Sequence, residues 1–353
     1  MILLAVVIGL SVLILVHELG HFTAAKFFGI RVDEFGIGFP PRLFGRKIGE
    51  TIYSLNLLPF GGFVRIFGED GSSENSEGAS GESGSFSAQP VFRRLIVILA
   101  GVFMNVVLAW LIFSAVLFAG APNHLIVAQV AADSPAAIAG LKEGDVILEL
   151  KNAGNVFTDP VWSEDFVRLV EAVPAGVFDL KIMRGEEMLE FSLTGREKPP
   201  EGQGSLGVSL VDVGFAGTSL GRSFVEGLKT TVSTFGLVVV GFFDFFSRLF
   251  SQPEVLKTVA GPVGIFSLAS KAGSLGLVYL FQFVAFISVN LAVLNLIPFP
   301  ALDGGRALLL VIEKIMAKPV PGKVQIAINA FGFLLLLVLM ILITVQDIGR
   351  LLN

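Results

Sequence analysis

The chain of 353 residues has no cysteine, which excludes disulfides and thiolate metal sites and leaves histidine and carboxylate as the available metal ligands. Charge is scarce as well: charged residues make up 16% of the chain against 53% hydrophobic ones, a balance that excludes an ordinary soluble protein. Only three histidines are present, so two of them four residues apart call for a reason. The formal charge of -5 is too small to indicate a partner, and no nucleic-acid partner is expected. What remains is the composition of an integral membrane protein.

Four hydrophobic stretches, residues 1–28, 94–120, 274–305 and 325–347, each supply the roughly 20 apolar residues that a helix needs to cross a bilayer. The first lacks the basic start and small-residue cleavage site of a signal peptide, so it is expected to be retained. Arg31, Arg42, Arg46, Lys47, Arg65, Arg93 and Arg94 follow the first stretch, and Arg306, Lys314, Lys318 and Lys323 lie in the loop 306–324. The positive-inside rule puts both groups in the cytoplasm, and both termini outside.

His17-Glu18-Leu19-Gly20-His21 ends the first stretch. On a helix, residues four apart share a face, so His17 and His21 can bind one ion. Glu18 is turned away by about 100° and is expected to act as a base that takes a proton from a metal-activated water. Ionisable groups inside hydrocarbon cost about 2.5 to 3.5 kcal/mol each on insertion scales, and a divalent cation would offset that cost. Counted at about 1.5 Å per residue, the motif lies some 24 to 30 Å into the span, nearer the cytoplasmic face.

A third ligand is expected at Asp303, within Asn295-Leu296-Ile297-Pro298-Phe299-Pro300-Ala301-Leu302-Asp303-Gly304-Gly305. Two prolines within three residues, Pro298 and Pro300, end the helix just before it, and lipid tolerates the freed backbone groups only where protein or a water-filled cavity surrounds them. Two histidines and one carboxylate leave a position open for water, the arrangement of a catalytic zinc site. Asp-Gly is also common in turns, and asparagine is a common interhelical hydrogen-bond partner, so Asp303 and Asn295 each have a purely structural alternative. Asn105 and Asn290 are expected to be packing polar groups, and His124 a surface residue.

Between the second and third spans, residues 122–214 have the composition of a soluble domain. Ala132-Asp133-Ser134-Pro135-Ala136-Ala137 and the following Ala139-Gly140-Leu141-Lys142-Glu143-Gly144-Asp145-Val146-Ile147 resemble the signature of bacterial PDZ domains. Leu206, Gly207 and Val208 look like the loop that opens a PDZ groove; such a groove takes an extended peptide as an added strand, while a domain without a ligand would only exclude bulky substrates. Residues 29–68 read as a re-entrant hairpin on the cytoplasmic side, with Gly36 and Gly38 as close-approach points. Residues 69–93, rich in Gly, Ser and Glu, read as a disordered cytoplasmic linker, and 222–252 as an amphipathic helix in the outer interface, with a fifth span as the alternative.

HExxH in the first span, a PDZ-like unit, and NxxPxxxLDG in the third are together similar to the site-2 protease family, in its bacterial branch of RseP- and RasP-like proteins. That resemblance implies an intramembrane zinc metalloprotease with Zn2+ on His17, His21 and Asp303, Glu18 as catalytic base, and Asn295 on the substrate side of the cleft. Pro298 of the same motif, with Gly36 and Gly38, completes the expected substrate-binding set. Only one PDZ-like unit is visible, and Val102 stands where the family commonly has a proline-containing turn. The expected fold is a polytopic α-helical membrane protein with four transmembrane helices, a re-entrant β-hairpin and one extracytoplasmic PDZ-like α+β domain. The expected setting is the bacterial cytoplasmic membrane, with lipid and single-span transmembrane proteins as partners. A catalytically silent PDZ scaffold would not need the four site residues together, and a metal transporter would need more polar groups along the spans.

Overall fold

The computed structural model describes residues 2–69, 84–152, 155–158, 162–185, 187–249, 251–252, 254–255, 259–318 and 320–352. Contacts divide them into two units: Met1–Ala115 with Gly221–Ser270 and Leu280–Asn353, and Val116–Leu220 with Lys271–Tyr279.

The first unit begins with α1 (Ile2–Phe27), an apolar run whose first ionisable side chain is His17. Strands β1 (Val32–Ile48) and β2 (Thr51–Ile66) follow, and they form more than the simple hairpin expected. The leg Val32–Ile37 pairs on one side with Gly62–Ile66 and on the other with Ile52–Leu55, while Arg42–Ile48 pairs back onto Thr51–Asn56. Each strand is thus doubled over, giving four legs with 62–66 and 42–48 at the two edges. Glu34 ties the fold together: its buried carboxylate meets Arg42 at 2.7 Å and Arg65 at 3.7 Å.

Of the expected linker 69–93, residues 70–83 lie outside the described residues. Residues 84–93 are not free chain, because one aromatic side chain anchors them. Phe86 is buried among Ile30, Val32, Ile66 and Val97, and its backbone N–H donates to the Phe67 carbonyl at 2.9 Å. Helix α2 (Val91–Ala119) then starts.

The second unit is built on β3 (Ala121–Val130), α3 (Pro135–Ala139), β4 (Val146–Asn152), β5 (Asn155–Thr158), α4 (Ser163–Ala172), β6 (Val177–Arg184), β7 (Glu187–Thr194) and β8 (Val208–Phe215). The sheet runs β7-β6-β4-β3-β8 with β5 beside β4, so β8 is an edge strand. Alternation along the strands turns Leu125, Val127, Ile147, Leu150, Phe178, Leu180 and Ile182 inward, each fully or almost fully buried and each contributing about 1.5–3 kcal/mol. Phe166, Leu169 and Val170 close the core from α4. The Ser134 side chain caps α3 by accepting from Ala137 N–H at 3.1 Å. Arg184 and the Lys142 N–H hold the buried Asp145 carboxylate. His124 is buried, contrary to the surface position expected, because it falls within β3, where its Nε2–H donates to the Leu275 carbonyl at 2.8 Å.

Returning to the first unit, α5 (Leu220–Leu249) covers most of the stretch expected at 222–252. Ser223, Gly227 and Thr231 form its buried stripe, and Gly227 lies against Ser114 of α2. Helices α6 (Pro262–Ser274), α7 (Leu277–Leu296), α8 (Asp303–Met316) and α9 (Gly322–Leu352) complete the unit. The expected third span 274–305 is therefore interrupted after Leu296, and the expected loop 306–324 is largely helix. Gly304-Gly305 suggests a turn, but the residues after it carry an amphipathic pattern whose buried side includes Leu310 and Glu313. Among the described residues, five helices, α1, α2, α5, α7 and α9, are long and apolar enough to cross a membrane by length and composition.

One acidic group fixes α4 to the sheet. Trp162 precedes α4 and gives no side-chain cap, so Asp212 on β8 accepts instead from the Ser163 N–H at 3.1 Å and from the Ser163 hydroxyl, and from the Asn123 amide at 3.2 Å. Burial works to push the Asp212 carboxyl up, but these hydrogen bonds together hold it below the usual carboxylate range. A lowered folded pKa gives stability that is fully present above the unfolded value of about 3.9 and is lost as pH falls through the folded value. In a Trp110→Phe background, where Trp162 is the single tryptophan, acid unfolding followed by its fluorescence should be steeper in the parent than in Asp212→Asn; equal profiles would exclude this role.

Candidate metal centre

Three side-chain atoms from two distant parts of the chain converge on one point. His17 and His21 lie one turn apart on α1, with their Nε2 atoms 3.1 Å from each other. Asp303, the first residue of α8, brings Oδ2 to 3.0 Å from His17 Nε2 and 3.4 Å from His21 Nε2. A tetrahedral ion with bonds of roughly 2.0–2.1 Å holds its ligand atoms roughly 3.3–3.4 Å apart, so this spacing suits a small divalent cation. Asp303 Oδ2 is buried without a partner in hydrogen-bond geometry, as a metal ligand would be. Among the described residues this is the one cluster of its kind.

The fold brings Asp303 to this depth by breaking a helix. After α7, Pro298 and Pro300 prevent a continuous helix, and the chain turns through Phe299–Leu302, where the Leu302 N–H donates to the Phe299 carbonyl at 3.1 Å. The Ala301 N–H finds Asn329 of α9 at 3.3 Å. Backbone groups freed by the break are thus satisfied by protein, the condition for irregular chain at membrane depth.

Helix α2 supports the two imidazoles from behind. A Cβ on Gly20 would lie 2.3 Å from the Ala100 carbonyl oxygen, and one on Gly101 would lie 2.5 Å from His21 Nε2 and 2.8 Å from His17 Cε1. This close crossing lets α2 reach both rings. His21 Nδ1 faces the Val97 carbonyl at 2.9 Å and His17 Nδ1 faces the Asn105 amide at 3.3 Å. When Nε2 serves a metal, Nδ1 carries the ring proton and needs an acceptor. Val97 provides one, and the Asn105 amide provides another in the orientation that turns its oxygen to the ring. Ser288 of α7 donates to the Asn105 backbone carbonyl at 2.8 Å and fixes that segment.

The site opens onto a cavity of about 350 Å³. Glu18 and Asn295 line it with the three converging residues, and so do Phe63, Val64 and Ile66 from an edge leg of the sheet. Glu18 and Val64 line the same wall, which places a candidate proton acceptor beside the sheet edge. Pro298, Gly36 and Gly38 are not among the lining residues. Gly36 lies beneath the Phe63 ring, which a Cβ would meet at 2.4 Å, and Gly38 has a φ of 77° where the chain passes the Leu58 carbonyl. They shape the sheet instead of facing the cavity. Gly101 is the residue that sequence reasoning passed over, and Asn105, expected to be a packing group, instead faces the His17 ring. Asn290 donates to Phe286 within its own helix at 2.8 Å, as a packing group would. In the second unit, Leu206 is buried in the core with its carbonyl accepting from Ala136 N–H at 3.1 Å, Gly207 has a φ of 73°, and Val208 opens edge strand β8.

Residues 5–339 match the sequence model of peptidase family M50. A protein named as a zinc metalloprotease in Clostridium perfringens is 38% identical over 344 residues, covering 97% of this chain and 96% of that protein. A protein of the same designation in Synechocystis is 35% identical over 350 residues, covering 98% and 93%. The regulator of sigma-W protease RasP of Bacillus subtilis is 30% identical over 426 residues, covering 99% and 98%.

Two substitutions test the support from α2. Gly101→Ala should displace the His21 ring and strip metal from the purified protein; full metal content in this variant would contradict the close crossing. Asn105→Ala should weaken metal affinity about 10- to 100-fold while leaving the protein folded, read by competition with a chelator. An unchanged affinity would make Asn105 a packing residue only.

Proposed function

The chain belongs to peptidase family M50 and is a membrane zinc metalloprotease of site-2 type, and from that premise we propose that it cuts transmembrane segments of single-span proteins at His17, His21 and Asp303. The observation that carries this reading is the convergence of those three ligand atoms within 3.4 Å, beside Glu18, in a membrane helix bundle. A bound zinc ion supplies Lewis acidity, acidifying water and polarising the scissile carbonyl. Glu18 takes the water proton and returns it to the leaving amine. Asn295 donates its amide to the substrate backbone or to the developing oxyanion. The edge leg 62–66 pairs with an unwound substrate as an added strand and holds it extended along the cavity.

Chain parity supports four crossings rather than five. With the N-terminus outside, α1 brings His17 and His21 to its inner half, and Asp303 must reach the same depth from the end of α7. That requires α7 to run inward, as it does when α1 and α2 cross and α5 does not. Helix α5 then rests at the outer interface, its Asp244–Arg248 pair at 2.8 Å suiting that position better than lipid. Residues 122–214 form an extracytoplasmic PDZ-like unit that selects substrates by peptide binding near Leu206, Gly207 and Val208 or by excluding bulk. Membrane-bound regulators such as anti-sigma factors and remnant signal peptides are the substrate classes that fit this cleft, and the Bacillus subtilis relative is named as a regulator of sigma-W.

Purified protein should cleave a model single-span substrate in detergent, and Glu18→Gln should slow this by about 10²- to 10⁴-fold with zinc retained. Zinc-loaded protein that never cleaves would favour a silent scaffold. The natural absence of cysteine allows a topology test: Glu201→Cys should react with an impermeant maleimide in intact cells, and Lys318→Cys only after lysis. The reverse pattern would overturn the orientation.

A further inference from the structure

Hydrolysis adds water across an uncharged amide and leaves a new carboxylate and a new amine. The carboxylate is born in a cavity whose wall, apart from the three candidate ligands, carries the carboxylates of Glu18 and Glu69, which repel it. Among the described residues lining that cavity, Arg306 is the single Lys or Arg. It lies one helical turn beyond Asp303 on α8, and its Nη1 is 2.7 Å from Glu69 Oε1. Glu69 and Arg306 also line a second cavity of about 500 Å³, so their ion pair stands on the boundary between the two.

We propose that the Arg306–Glu69 pair is a carboxylate-exchange site, in which the new C-terminus of the cleaved chain takes the place of Glu69 on Arg306 and leaves through the second cavity. This rests on the protease reading above. Replacing one carboxylate by another keeps the guanidinium paired throughout, so the exchange needs no unpaired charge at membrane depth. Guanidinium matches carboxylate geometry with two parallel donors, which an ammonium does not. The second cavity holds another ion pair, Arg94 with Glu313 at 3.1 Å, but neither of its residues lines the cavity of the converging ligands, where the new carboxylate forms. Exchange therefore belongs to Arg306.

The test is binding, which does not require turnover. Two labelled peptides matching the N-terminal half of a cleaved model substrate, one ending in a free carboxylate and one in a carboxamide, are titrated onto zinc-loaded full-length protein by fluorescence anisotropy. The wild type should prefer the acid by about tenfold or more, Arg306→Gln should lose most of that preference, and Glu69→Gln should bind the acid more tightly because the competing carboxylate is gone. Equal affinity for acid and amide in the wild type would overturn the proposal, as would an undiminished preference in zinc-loaded Arg306→Gln. If Arg306→Gln fails to hold zinc, Glu69→Gln decides: tighter acid binding supports exchange, and weaker binding makes the pair a structural bridge and overturns it. A protein that shows these affinities but never cleaves would sink the protease reading alone.

Discussion

Two imidazole nitrogens and a carboxylate oxygen within 3.4 Å of one another, in a helical bundle of apolar composition, are the constraint on which the rest of this structure depends. At these distances their lone pairs repel one another unless a proton or a cation lies between them. A divalent cation at the centre would turn that repulsion into three coordination bonds and offset the cost of placing ionisable groups at membrane depth. Without a cation, the same side chains would be a defect that neighbouring helices had no reason to enclose so closely.

Much of the surrounding fold serves that point. Helix α2 approaches α1 at Gly20 and Gly101, where any side chain would strike either backbone or the imidazoles themselves. The interruption between α7 and α8 delivers Asp303 to the depth of His17, and Asn329 of α9 satisfies the broken chain. The doubled sheet, locked by Glu34 between Arg42 and Arg65, brings an edge to the same cavity. Rigid elements hold the candidate ligands, which limits the loss of geometry that a loop-borne site would suffer.

What was legible in the sequence was local. The spacing of His17 and His21 follows from one helical turn, and Asp303 was exposed by Pro298 and Pro300, which announce a broken span. What escaped was non-local. Gly101 looks like an ordinary residue of an apolar helix and Asn105 like a packing polar group, and only their approach to His17 and His21 across 80 or more positions gives them another role. Helix α8 was hidden because Gly304-Gly305 resembles a turn, although the pattern beyond it is amphipathic. The doubling of β1 and β2 depends on which leg pairs with which, and alternation along one strand carries no such information. Phe86 and His124 were misjudged for a related reason, since each is buried by residues distant in the chain.

The central claim is that Asp303 and the two histidines hold one ion jointly. It is tested most directly by the metal content of the purified protein, measured by mass spectrometry for the parent, Asp303→Ala and Glu18→Gln. The account predicts one zinc per chain in the parent and in Glu18→Gln, and little or none in Asp303→Ala. Full zinc in Asp303→Ala would contradict it.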